Sequence, residues 1–286
     1  NSFQDLAGNL NADNLNLTVL EIADTTKPVV QNAQVQLSTG VLTIVISETV
    51  DGTPLSLVDN SKFSIVNELG SESILSDATF TAVDLTVMTF TLTETQRIAA
   101  IRFSASVPSG GDGTPATISV GGNAFRDIAQ NLNVEFTQIT LTEVADTVVP
   151  GISSLAINFS TGVLTIIGTE THELSLVDPS KMILRKPSGV GAGDISLTGA
   201  AVQGTGLAFD PAFITLTEPQ RAVAVAASTT FLSDGIGLLL DLASAAISDV
   251  ALNPNAPTSD IAITEAADTQ PPLLLSATLL LSTGIL

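Results

Sequence analysis

Cysteine, tryptophan and tyrosine do not occur in the 286 residues, and there is a single histidine, His172. Without cysteine the chain has no disulfides and no thiolate metal sites. One histidine leaves nucleophilic triads and multi-histidine metal sites without their parts, so His172 reads as a loop residue with no chemical role and the chain as no enzyme. Positive charge is scarce too: nine Lys+Arg stand against 29 Asp+Glu, for a net charge of -20 at pH 7. That excess repels phosphate backbones and anionic headgroups, which argues against nucleic-acid and membrane-surface partners and suits cations or high salt. Long hydrophobic runs are also missing. The nearest, Leu238 to Leu252, is interrupted by Asp241 and Asp249, so no membrane insertion is expected in this stretch. Yet only 13% of residues are charged and the mean hydropathy is +0.44. A chain this apolar is expected to bury surface against neighbours as well as inside itself.

What the sequence does have is a repeat. Ser38-Thr39-Gly40-Val41-Leu42 returns as Ser160-Thr161-Gly162-Val163-Leu164 and again as Ser282-Thr283-Gly284-Ile285-Leu286, 122 residues apart each time. Asp24, Asp146 and Asp268 keep the same step, as do Pro28, Pro150 and Pro272, Asp5, Asp127 and Asp249, and Asn9, Asn131 and Asn253. A constant period marks a tandem array. It divides the chain into 1–23, the C-terminal strands of a preceding repeat; 24–145 and 146–267, two whole repeats; and 268–286, the first hairpin of a following one. The partial repeats are expected to be completed by more of the same chain or by a neighbouring copy.

Within a unit the hydrophobic period is two. Ala33, Val35 and Leu37 alternate with Gln34 and Gln36, and Leu42, Ile44 and Ile46 alternate with Val41, Thr43 and Val45, around the turn Ser38-Thr39-Gly40. Further strands are expected at Phe63 and Ile65, at Met88, Phe90 and Leu92, at Ile118 and Val120, and at Ile139 and Leu141. One short helix interrupts them, for Thr93 with Gln96 and Thr217 with Gln220 have capping-box spacing. Short strands punctuated by Gly, Pro and Asp turns predict an all-β fold: serial antiparallel β-sandwiches of about seven strands per unit, with one crossover helix.

The entry Asp24-Thr25-Thr26-Lys27-Pro28, the strand from Gly40 through Ser47-Glu48-Thr49-Val50 and the exit Phe3-Gln4-Asp5-Leu6-Ala7-Gly8-Asn9 are landmarks of a known kind. The exit recurs as Phe125-Arg126-Asp127-Ile128-Ala129-Gln130-Asn131. Together they resemble the tandem bacterial immunoglobulin-like repeats, of surface-layer and adhesin type, found in giant extracellular proteins. The second unit departs from the pattern at Gly168-Thr169-Glu170 and Val250-Ala251-Leu252. The resemblance implies an extracellular, cell-surface location, a spacer, adhesin or assembly role, and no catalysis.

Carboxylates recur at each junction: Glu21 with Asp24, Glu143 with Asp146, and Glu265 with Asp268. Calcium needs six to eight oxygen ligands, which two adjacent units could supply together, although Asp and Asn also cap turns without metal. Asn16-Leu17-Thr18 and Asn158-Phe159-Ser160 have the N-glycosylation pattern, so glycans are compatible with both sites. Val41, Val45 and Ile167 face outward by alternation and are candidates for contacts between copies. The function expected is the shaft of an extracellular filament, surface fibre or hair-like appendage built from copies of the unit. The alternative is the stalk of a cell-surface adhesin.

Overall fold

The computed structural model describes residues 4–10, 18–81, 83–187, 193–230 and 237–273. The third copy of the repeated turn, Ser282 to Leu286, and the candidate Asn16 lie outside the described residues. The first hairpin forms as its alternation requires. β1 (Val30–Gln36) pairs antiparallel with β2 (Val41–Ile46), setting Ala33 against Ile44 and Val35 against Leu42. Gly40 closes the turn at φ +67°, a left-handed conformation that costs glycine little, and donates its amide to the Gln36 carbonyl at 2.8 Å.

The rest of the first unit is β3 (Phe63–Val66), β4 (Glu72–Ile74), β5 (Thr79–Phe80), β6 (Val87–Thr91), α1 (Glu94–Arg102), β7 (Thr117–Val120) and β8 (Phe136–Val144). Hydrogen bonds link the strands in the order β4-β3-β7-β8-β1-β2-β6-β5. Far apart in that order, β3 and β6 nevertheless bring the rings of Phe63 and Phe90 to 4.9 Å between centroids, so the sheet folds over itself into two layers. β8 makes the fold possible. Its first half pairs antiparallel with β7, and from Leu141 onward it pairs parallel with β1, so the closing strand crosses from one layer to the other. An all-antiparallel sandwich predicted from alternation therefore acquires one parallel pairing, because the last strand joins the edge where the chain began.

The second unit repeats the plan. β9 (Ile152–Asn158) and β10 (Val163–Gly168) form the hairpin, with Gly162 also at φ +67°. They are followed by β11 (Met182–Arg185), β12 (Ile195–Ser196), β13 (Ala201–Gln203), β14 (Ala212–Thr215), α2 (Glu218–Ala227), β15 (Leu239–Leu242), β16 (Thr258–Ala262) and β17 (Thr264–Ala266). β16 and β17 are the two halves of the crossing strand: β16 pairs with β15, and β17 runs parallel to β9. Leu42 and Leu164, Phe63 and Met182, and Ile118 and Leu240 are fully buried in corresponding places of two separate cores. At about 25 cal/mol per Å² of apolar surface removed from water, those cores are the main source of stability.

A buried asparagine secures the bend before the closing strand. Asn133, 2% exposed, accepts the Ala124 and Phe125 amides at 2.7 and 2.9 Å and donates to the Gly121 and Val134 carbonyls at 3.0 and 2.7 Å. Asn255 holds the same position in the second unit, on the Ile247 amide and the Ala243 and Ala256 carbonyls. Among the described residues no helix is long and apolar enough to cross a membrane.

Candidate functional site: the joint between the units

The side-chain chemistry of the molecule concentrates where the two units meet. α1 begins with a capping box: Thr93 Oγ1 accepts the Gln96 amide and Gln96 Oε1 accepts the Thr93 amide at 2.8 Å. A firm helix start fixes Glu94 and Arg97 one turn apart. Arg97 donates Nε and Nη2 to the two oxygens of Glu94 at 2.6 and 2.8 Å, a side-on fork. Its Nη1 donates to the Leu37 carbonyl at 3.1 Å and to Asp146 Oδ2 at 2.7 Å, and Nη2 reaches Glu170 Oε2 at 3.4 Å. One guanidinium thus ties the helix of the first unit, the connecting segment and the bend that follows the first hairpin of the second. Only 6% of Arg97 and 2% of Asp146 is exposed.

The second unit grips back. Thr171 donates its hydroxyl to Glu94 Oε1 at 2.8 Å and accepts the Phe209 amide at 3.0 Å. Asn253 donates to the Asp146 carbonyl at 3.2 Å while holding both oxygens of Asp249, through its amide at 2.8 Å and its side chain at 2.9 Å. Beside this polar cluster, Val250 and Ala251 of the second unit pack into the core of the first. Gly110, at φ +81°, lies so close that a Cβ there would come within 2.2 Å of the Val250 carbonyl oxygen.

Charge is unbalanced in the joint, with Glu94, Asp146, Glu170 and Asp249 around a single arginine. Burial first, and then Asp146, Asp249 and Glu94, push the Glu170 carboxyl up to about 7 in spite of Arg97. Burial raises Asp249 as well, against its bonds to Asn253. Burial also acts against the charged form of Glu94, but Arg97 and Thr171 outweigh it and hold the group below its usual range. Arg97 is held more firmly protonated than usual, its own burial being overcome by Glu94, Glu170 and Asp146.

The carboxylate pairs named from the sequence do not converge as pairs. Glu143, expected to act with Asp146, turns to the Ala105 and Ala116 amides at 2.9 and 2.8 Å. Glu265 likewise holds the Thr229 and Leu238 amides at 2.8 and 2.6 Å, leaving Asp268 to Arg221 at 2.7 Å. Glu21 is exposed. The carboxylates that do converge are Asp146, Glu170 and Asp249, and their counterparts Asp24, Glu48 and Asp127, each trio with oxygens within 4.8 Å of one another. Either trio has the donor chemistry for a cation, and in the joint the cation present is the Arg97 guanidinium.

His172 lies outside the named strands and helices, bridged to Asp249 in the place of Val50; it is 3% exposed, and burial lowers its pKa. Asn158 is exposed at the end of β9, with its Oδ1 accepting the Ser160 amide at 2.9 Å. Val41, Val45 and Ile167 are half-buried.

Residues of the joint recur elsewhere in both units. In the second unit Arg221 repeats the fork on Glu218 at 2.8 and 2.9 Å and bonds the Phe159 carbonyl at 2.8 Å, as Arg97 does Leu37. In the first unit the trio Asp24, Glu48 and Asp127 has no arginine among the described residues, and Glu48 Oε1 is buried without a partner. Burial, Asp24 and Asp127 raise the Glu48 pKa.

No protein-family model matches the chain, and no curated protein does. Among solved structures it is similar to the N-terminal part of the bacterial S-layer protein SbsC, at 15% identity over 68% of this chain and 45% of that one, with a TM-score of 0.26. The chain thus spans about half the length of that S-layer fragment. Titin domains A168–A170 are similar at 12% identity over 84% of this chain and 66% of that one, and the titin tandem A164–A165 at 12% over 84% and 97%, both with TM-scores of 0.26. Scores below 0.5 leave the fold to be read from the strand order itself. That order is all-β, two layers to each unit.

Proposed function

We propose that the chain is a non-enzymatic structural repeat protein whose sandwiches stand in file as the shaft of an extracellular filament, surface fibre or hair-like appendage. The observation that carries this reading is the joint. Three carboxylates, Glu94, Asp146 and Glu170, from both units and the connecting segment close on one buried arginine, with apolar packing beside it. Such a contact fixes the rise and rotation from one unit to the next, whereas a mobile linker would leave the units free. Half-burial of Val41, Val45 and Ile167 within their own sheets leaves less apolar surface for side-by-side contacts. That favours the second reading, a single-file stalk of a cell-surface adhesin.

Small-angle scattering of the purified chain tests the shared part of both readings. Extrapolated to zero concentration, one elongated particle of fixed length is expected, unchanged by about 0.5 M salt because buried pairs are little screened. A spread of lengths, as two sandwiches on a free hinge produce, would sink the shaft. Electron micrographs of the native material separate the readings, with ordered fibres for the first and isolated thin stalks for the second.

Calcium is the competing occupant of the carboxylate trios. With Arg97 as the resident cation, the melting temperature is expected to be the same in excess calcium and in excess chelator. A rise with calcium, saturating at one or two ions per chain, would assign the trios to the metal.

A further inference from the structure

The second core is built with fewer rings than the first. Its buried residues include one phenylalanine, Phe159, where the first core has Phe63, Phe80, Phe90 and Phe125. Three large-to-small changes fall together. In register, Val29, Phe125 and Phe136 of the first unit become Gly151, Ile247 and Thr258 of the second. The correspondence is structural as well, since Phe136 pairs with Val120 at the start of β8 as Thr258 pairs with Leu242 at the start of β16. In the first unit the ring of Phe125 stacks on that of Phe63, 6.2 Å between centroids, and Phe136 packs against the same core. In the second unit the three smaller residues line a cleft of about 360 Å³, together with Pro150, Ile152 and Leu242. Ile152 is only half-buried there, although Val30, the smaller side chain in its place, is 7% exposed.

We propose that this cleft on the flank of the second unit binds a small neutral aromatic molecule of the phenol type, whose ring takes the space that phenylalanine fills in the first unit. Apolar cavities left by truncated side chains take up benzene-sized molecules. The cleft also falls within the range of about 300–1,000 Å³ usual for small-molecule sites. Its floor is apolar. Ile247 is fully buried, and Asn255 beside it is already engaged, with Oδ1 on the Ile247 amide and Nδ2 on the Ala243 and Ala256 carbonyls. The rim is polar and sets where a ring hydroxyl goes: Thr258 donates Oγ1 to the Ala256 carbonyl at 3.2 Å, and the same oxygen can still accept from a phenol. Charge selects against anions. Arg185 is shared between Asp241 and Asp260, and Asp260 lines the mouth, so a carboxylate on the ring would meet a net negative charge. None of the lining residues takes part in the joint, so the proposal is independent of the shaft reading.

Titration of the 286-residue chain with p-cresol, followed by NMR of its isoleucine, leucine and valine methyl groups, tests it. The signals of Ile152, Leu242 and Ile247 are expected to shift saturably. Those of Val30 and Val120, which stand in the first unit where Ile152 and Leu242 stand in the second, are expected to stay. T258F, which returns the ring of the first unit, and G151V, which returns its valine, are each expected to bind p-cresol at least about tenfold more weakly. Room exists for the second change, since a Cβ at Gly151 would lie 3.4 Å from its nearest neighbour, Thr169. Methyl spectra unchanged outside the cleft show that the variants are folded. The parent is expected to bind p-hydroxybenzoate at least about tenfold more weakly than p-cresol. The proposal is overturned if p-cresol moves none of the three signals up to its solubility limit, if Val30 and Val120 shift as far, if either folded variant binds as tightly as the parent, or if p-hydroxybenzoate binds as tightly as p-cresol.

Discussion

Replacing Arg97 with alanine is expected to uncouple the two sandwiches and to cost about 3–5 kcal/mol, the usual result of removing one partner from a buried ionic cluster. Glu94, Asp146 and Glu170 lose their only cation among the described partners, and the Leu37 carbonyl loses its donor. The penalty is the repulsion and desolvation left behind, which exceeds the attraction removed. Arg221→Ala is the built-in comparison. It deletes the same fork in the second unit, where the side chain is 25% exposed and water can take over, so about 1 kcal/mol or less is expected. Arg97→Lys is expected to fall between, because an ammonium cannot serve the side-on fork to Glu94 and the bonds to Leu37 and Asp146 together. Calorimetry reads the uncoupling directly, as one merged transition in the parent and two in R97A. Equal, small losses in R97A and R221A would mean that the joint contributes no more than a surface pair.

The alternation of Ala33, Val35 and Leu37 with Gln34 and Gln36 was enough to read the hairpin, because period two is a local signal and the buried face decides it. Thr93 and Gln96 announced the helix for the same reason. The parallel pairing of β1 with β8 was not legible, since it depends on which edge the last strand reaches and not on its own pattern. The joint was half legible. Repetition pointed to Asp146, but Glu143 precedes it at a distance that says nothing of its direction, and Ala105 and Ala116 claim it. A signal for Arg97 existed and went unused: in a chain with nine basic residues, Glu94-Thr95-Gln96-Arg97 returns as Glu218-Pro219-Gln220-Arg221, each behind a helix cap. A scarce residue that recurs in register is more informative than an abundant one. The register of His172 with Val50, which is fully buried, is what foretells its burial in a stretch without regular structure.

Glu170→Gln is expected to stabilise the joint increasingly as pH rises. Below about pH 4.5 Glu170 carries its proton in both folded and unfolded chains and imposes no penalty. Between there and about 7 the unfolded chain releases the proton while the folded chain keeps it, so the contribution of Glu170 to stability falls with rising pH and levels off above the folded value. The full span corresponds to an upper bound of about 3 kcal/mol. Two neighbours work in other directions. Glu94, held low by Arg97 and Thr171 against its own burial, supports the fold above its ordinary range and loses that support as pH falls through its lowered value. His172, buried and neutral, favours unfolding as pH falls below about 6.5, its ordinary value. Because both are present in parent and variant alike, the difference between the two melting temperatures isolates Glu170. Glutamine matches the protonated carboxyl in size, so that difference is expected to be near zero at pH 4.5 and to grow in favour of E170Q up to about pH 7.5. A difference that stays constant, or a parent that outlasts E170Q at pH 8, would mean that Glu170 is ionised in the folded joint and that Arg97 balances it fully.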